Sequence, residues 1–266
     1  TLLARQFGAA IVLIHVVNDD QPRRIVDIEH EESSRLLLEA ATKLRDVDGV
    51  ICETRVILAS SFVGIIQAAE EMRPDLLVIG AHRRVVLKDV FIGTTAERTI
   101  RLVDCPVLMV NAVPAGNYQH IMQTTDLSDG SRQALQSVPL LRIGEEARNT
   151  LLYIFDAPAL RLVMVDSMTR DDQNAYLASE KKNVMRELVE FTPTKDFGKL
   201  NMLVRYKVKA THHEILEAAK TENADLIVLS THGRTGLTKL LIGSVTEKVL
   251  RTSSIDVLAI PPMRVD

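Results

Sequence analysis

Cysteine is scarce in this chain of 266 residues: Cys52 and Cys105 are the only two, both in the first half, and they form no C-x-x-C. Neither a metal site nor a redox pair is signalled, and a reducing, cytoplasmic setting fits best. Long apolar runs are missing as well. Residues 11–14 with their flanking alanines fall far short of the roughly 20 residues that a membrane-spanning helix needs. No run of lysine or arginine exceeds a pair and the net charge is only -3, so the chain lacks the electrostatic footprint of a nucleic-acid or acidic-membrane binder. No G-x-x-x-x-G-K-[ST] occurs, and no G-x-G-x-x-G follows a strand pattern, which gives no sign of a P-loop with its Mg²⁺ chemistry or of a dinucleotide fingerprint. A nucleophile elbow is absent too, so no catalytic residue is assigned and no enzymatic activity is expected. Slow ATP hydrolysis would lack a visible base or metal ligand.

What is present is a chain that is 46% hydrophobic and 25% charged, enough to bury a sizeable core. It is organised around residues 225–244, DLIVLSTHGRTGLTKLLIGS. A short apolar run breaks into a loop of small residues, and a second small pair, Gly243-Ser244, opens another segment. The order reads as strand, loop, helix start. Glycine lets backbone approach a ligand closely, and the free amides of a helix start attract anions, so the stretch is a candidate phosphate cradle.

The same pattern stands 150 positions earlier, in residues 75–94, DLLVIGAHRRVVLKDVFIGT. It repeats the aspartate, the apolar strand, a small residue, the histidine two positions on and the closing small pair. The correspondence continues without a gap through Glu97 and Glu247, Arg101 and Arg251, and the apolar runs 107–110 and 257–260. This is an internal duplication.

The segments GAHR…GT and STHG…GS resemble the glycine signature of the universal stress protein family, in which G-x-x-G, nine residues, then G and S or T wrap a nucleotide's phosphates and ribose. TTDLSDGSRQAL, residues 124–135, resembles the family's first strand and its aspartate. The chain is identified as a tandem member, with the resemblance covering nearly all of it. It implies two domains, residues 1–111 and 118–266, joined by a linker containing Pro114 and Gly116. In the second, Thr125, Asp126 and Ile154 would face the base of an adenine nucleotide such as ATP. Ser230, His232, Gly233 and Gly243 would lie along ribose and phosphates, and Ser244, Val245 and Thr246 would offer donors at the helix start. The resemblance further implies that the last strands of the two halves pair, giving an intramolecular pseudo-dimer that associates into a homodimer.

Periodicity supports the fold independently. Strand patterns at residues 10–17, 53–59, 76–79, 107–110, 120–125, 151–155, 201–208, 226–229 and 257–260 alternate with helical ones. Among the helical patterns are 28–44, 62–72, 94–103, 131–143, 173–191, 213–221 and 245–251. Apolar strand runs between helices argue for a parallel sheet covered on both faces. Each half reads as a doubly wound, Rossmann-like α/β unit of strand order 3-2-1-4-5. In the first half the counterpart of Asp126 would fall about a dozen residues before Thr1, so that half lacks its first strand here; the native polypeptide is expected to extend upstream by roughly 20 residues, enough for that strand and its helix start.

Departures from the signature leave two functional readings open. Ser230 replaces the first glycine in the second half; in the first half Arg83 replaces the second glycine, and Val85-Val86 make the loop bulkier. The chain is either a nucleotide-responsive sensor with its ligand in the second half, or a structural or interaction protein whose loops merely close the fold. Arg83, Arg84 and Lys239 read as solvated charges ahead of phosphate contacts, and His212-His213 as a cap or surface pair ahead of a metal site.

Overall fold

The computed structural model describes residues 1–80, 94–161, 168–192, 200–231 and 242–262. These residues separate into two compact units that do not coincide with the two halves of the sequence: one consists of Thr1–Pro74, Gly93–Val103 and Pro114–Asn117, the other of Asp75–Ile92, Asp104–Val113 and Tyr118–Asp266.

In the first unit α1 (Leu2–Phe7) ends on Gly8 at φ 64, a left-handed conformation that glycine adopts without a Cβ penalty. Strands β1 (Ile11–Val17) and β2 (Cys52–Leu58) lie parallel, in register from Ile11 opposite Cys52 to Val17 opposite Leu58. Their crossover is α2 (Arg23–Asp48), which extends beyond the 28–44 pattern at both ends. A Cβ at Gly64 of α3 (Ser61–Met72) would stand 2.6 Å from Val16 Cγ1 and 3.3 Å from Ile57 Cγ2. Glycine there sets how closely α3 approaches the strands. Helix α4 (Thr94–Leu102) completes this unit.

The second unit is built on a seven-stranded sheet. Its strands are β3 (Leu77–Gly80), β4 (Val107–Val110), β5 (His120–Thr125), β6 (Arg148–Phe155), β7 (Leu200–Tyr206), β8 (Leu226–Ser230) and β9 (Asp256–Ile260), in the order β3-β4-β9-β8-β5-β6-β7. Counted along the second half, β7-β6-β5-β8-β9 is the order 3-2-1-4-5 expected of a doubly wound sheet, and all its neighbours are parallel. The helices are α5 (Asp129–Ser137), α6 (Pro158–Arg161), α7 (Arg170–Phe191), α8 (Thr211–Glu222) and α9 (Ser244–Thr252). The first half's four strands divide between the two sheets, β1 with β2 and β3 with β4.

The last strands of the two halves do pair. β4 runs antiparallel to β9, with Leu108 opposite Leu258, and both side chains are buried. Asp256 fastens the intervening linker at both flanks: its carboxylate accepts from the backbone N–H groups of Asn111 (2.8 Å) and Ala112 (3.0 Å) and from the Tyr118 hydroxyl (2.7 Å). Burial first, and then the adjacent Asp256 carboxylate, push the Tyr118 phenol far above its ordinary pKa. The hydroxyl therefore stays a donor.

Three expectations need correction. The 131–143 pattern does not form one helix: α5 ends at Ser137 and Pro139 opens a 3-10 turn, because proline has no N–H to continue the ladder. β3 is not buried; it alternates half-buried and exposed, with Val78 53% accessible, since it ends the sheet. The loop after β6 also contains the short α6, which the periodicity did not indicate.

Candidate functional site

β5 and β8 are neighbours, and their carboxyl ends form the centre of the candidate site. Gln123 stands opposite Val228, two residues short of Thr125 and Ser230, the last residue of each strand. Beyond Thr125 the chain makes a tight turn into α5. Thr125 Oγ1 lies 2.9 Å from Ser131 Oγ and accepts the Leu127 N–H at 2.9 Å, while Asp126 Oδ1 accepts the Ser128 N–H at 3.1 Å. Ser128 then caps the helix by accepting from Ser131 N at 3.2 Å. Leu127 is held at φ 62, an uncommon setting for a side chain of its size. Thr125 and Asp126, both before it, hold it there by accepting from its own N–H and from that of Ser128.

Next to this turn in the strand order, α9 starts against the end of β8. Gly243 is its N-cap and donates to Thr231 O at 2.9 Å. The buried Thr246 hydroxyl donates to Ser230 O at 2.8 Å. The intrahelical ladder begins with Glu247 N to Gly243 O, so the N–H groups of Ser244, Val245 and Thr246 have no intrahelical acceptor and face the positive end of the helix dipole. Gly243 itself has φ -57, open to any residue, and among the described residues an added Cβ would meet Thr231 O at 3.7 Å and Thr246 Oγ1 at 3.9 Å. Among the described residues, therefore, neither the backbone nor the packing demands glycine at this position.

The fold thus gathers Thr125, Asp126, Ser230, Gly243, Ser244, Val245 and Thr246 around the ends of two adjacent strands. Ile154 lies one strand away on β6, next to Tyr153, which is paired with Thr125. His232 and Gly233 lie outside the described residues, as do Arg83, Arg84, Val85, Val86 and Lys239. The bonds that brace the site from within, Thr125 to Ser131 and Thr246 to Ser230, were not anticipated. Ser128 ahead of a helical pattern was a readable N-cap for its bond from Ser131 N; nothing in the sequence announces the other two.

The aspartate that opens the repeated motif has a different task. Asp225 sits at the amino end of β8 and accepts from the backbone N–H groups of Gln119 (2.7 Å) and His120 (3.0 Å). It ties the start of β5 to β8 at the end of the strands opposite the candidate site.

The His212-His213 pair lies in the first turn of α8 with ring centroids 4.1 Å apart. Burial first, then His213 and Lys248, push His212 below its ordinary pKa. Among the described residues no cluster of three or more His, Cys, Asp or Glu is placed to hold a metal ion, and no helix is long and apolar enough to cross a membrane.

A universal stress protein of Methanocaldococcus jannaschii is 27% identical over 156 residues, covering 54% of this chain and 94% of that protein. Universal stress protein A homolog 1 of Coxiella burnetii is 26% identical over 147 residues, 54% of this chain and 96% of that one. In fold, the crystal structure of a universal stress protein from Archaeoglobus fulgidus matches with a TM-score of 0.71 at 17% identity, over 98% of this chain and 91% of that chain. The family's sequence model matches twice, over residues 2–111 and again over 117–261, the two copies of the duplicated motif falling one in each match. The chain therefore belongs to the universal stress protein family, as a tandem member.

Proposed function

We propose that the second half binds an adenine nucleotide, ATP or one like it, at the carboxyl ends of β5 and β8, and that the protein acts as a stress-responsive sensor or regulator and not as a dedicated enzyme. One observation carries the reading: the start of α9, with three N–H groups lacking intrahelical acceptors, is fastened by Thr246 to the last residue of β8. That is the switch point of the strand order, where doubly wound sheets take their ligands. Phosphates are suited to the N–H groups of Ser244, Val245 and Thr246, and Asp126, Thr125 and Ile154 to the base side. His232 and Gly233 would complete the loop. The domain division at residues 111 and 118, a pseudo-dimer through β4 and β9, a homodimer and a cytoplasmic location belong to the same reading.

The test is native mass spectrometry of freshly purified protein, followed by titration with ATP. Gly243→Val is the diagnostic variant, because the backbone there accepts a side chain and the new atoms project where ligand would lie. The expected result is one adenine nucleotide per chain, lost in the variant while its melting temperature falls by no more than the about 2–4 °C that valine costs at an N-cap. An empty protein that ignores added ATP overturns the reading.

The rival reading, an interaction or structural protein, is favoured by Ser230 alone, which places a hydroxymethyl group where the family signature has none. Ser230→Gly separates the two: a gain of nucleotide affinity means that the scaffold is otherwise competent.

A further inference from the structure

We propose that the outer edge of β7 is a docking site for an extended, acidic segment of a partner protein, which adds to the sheet as a further strand. β7 ends the sheet, and among the described residues it pairs with β6 alone. In a parallel ladder a residue turns its N–H and C=O to the same side and its neighbours turn theirs to the other. Lys207 N donates inward to Phe155 O at 2.9 Å, so Arg205 also faces β6, and Val204 and Tyr206 present their backbone groups outward. These are the groups that strand addition uses.

The edge is shaped as well as open. A cleft of ≈ 280 Å³ lies where β7 meets α7, with Phe155, Leu177, Val204 and Tyr206 lining its apolar part and Lys181 at its rim. The Phe155 and Tyr206 rings pack against each other at its floor, centroids 5.8 Å apart and inclined at 49°. A second hollow of ≈ 170 Å³ lies just beyond the carboxyl end of the strand, from Tyr206 to Lys209. An extended chain meeting both would put alternate side chains into the first and over the second.

Charge selects the occupant. Lys181 has only apolar neighbours at helical spacing, Leu177, Ala178, Val184 and Met185, and no acid pairs with it or with Lys207 among the described residues. Lys209 and Arg205 are matched by Glu217 and Glu214, which leaves Lys181 and Lys207 as the surplus. Two copies of this chain paired through the same edge would bring two sets of these surplus lysines to one interface with no surplus acid to match them, and uncompensated like charge at a strand pair destabilises it. A segment with carboxylates flanking an apolar residue meets both the cleft and the charge.

The probe is a fluorescein-labelled, amidated peptide, Glu-Val-Glu-Phe-Glu-Val-Glu, titrated into the full chain with anisotropy as the readout. Saturable binding is expected, weakened roughly tenfold or more by Lys181→Glu with Lys207→Glu, the first exposed and the second half-buried, with the melting temperature of the variant as the check on its fold, and weakened by added salt. Two further peptides carry N-methyl groups on one or the other alternate set of amides. One set is expected to abolish binding and the other to leave it, and the amides of Val204 and Tyr206 are expected to gain exchange protection. The proposal is overturned by no saturation at millimolar peptide, by equal binding of both N-methylated peptides, or by equal binding of a scrambled peptide of the same charge. It is equally overturned if sedimentation shows a dimer that protects these two amides in the absence of peptide, which would make a second copy the occupant.

Discussion

Gly144 illustrates how much one position contributes. It follows the 3-10 turn at φ 69, and a Cβ there would run into the side chain of Ile121, a fully buried residue of β5, with Ala147 Cβ at 3.0 Å. Two penalties combine in Gly144→Ala: a left-handed backbone and an overpacked core, together about 2–4 kcal/mol. Urea denaturation at neutral pH should show that loss with an unchanged slope; a loss under about 1 kcal/mol would mean that the turn moves aside at little cost. Residues of this kind were not legible, because nothing marks one glycine among 12 as pressed against a strand distant from it in sequence. Glycines with a local signature were read more easily. Gly243 was placed at a helix start, where the structure has it as N-cap. Asp225 was read only as part of a repeat; its role as a double acceptor for the start of β5 depends on strand order and needed the fold.

At the scale of elements, β5 matched its expected bounds of 120–125 and most others lay within a few residues, because apolar runs and helical spacing are local properties. α7 shows where the local signal was missed. The expected start was residue 173, whereas the helix begins at Arg170 behind a capping box: Thr169 Oγ1 accepts from Asp172 N at 3.2 Å, and the Asp172 carboxylate accepts from the Thr169 N–H at 3.1 Å. T-x-x-D is a readable start signal. Thr169→Ala should cost about 1 kcal/mol and free the first turn of α7 to exchange its amides faster, with little effect at its C-terminal end. The hydrogen bond from the Thr169 side chain, followed by that from its backbone, holds Asp172 below the ordinary aspartate pKa of 3.8. A carboxyl depressed in the folded state contributes stability that is complete above its unfolded pKa and is lost as pH falls through the lower folded value. In Thr169→Ala the acid sensitivity below about pH 4 should shrink with the cap; an unchanged acid limb would show that Asp172 is depressed by something other than the box.

The scale of the whole molecule is where the sequence was least informative, because the two halves read alike while the two units do not. Both halves carry the same motif 150 residues apart, yet the strands of the first half are divided between sheets and those of the second are not. Burial follows that division. β8 is buried through Leu229 and β9 throughout, and β5 is buried at every position but one, while β1 is buried only at Val17 and β2 at no position. A backbone ladder opens to solvent most readily where few apolar groups cover it, so local stability should track this contrast. Native-state hydrogen exchange is the measurement. The amides of β5, β8 and β9 should exchange slowest, through the global unfolding of their unit, and those of β1 and β2 should exchange faster by at least about tenfold, equivalent to ~1.4 kcal/mol. Added urea should accelerate β1 and β2 with a shallower dependence, since opening a two-stranded sheet exposes less surface than opening a seven-stranded one. If all five strands exchange at one rate with one urea dependence, the two units unfold as a single cooperative block, and the sheet division is a feature of geometry without a counterpart in stability.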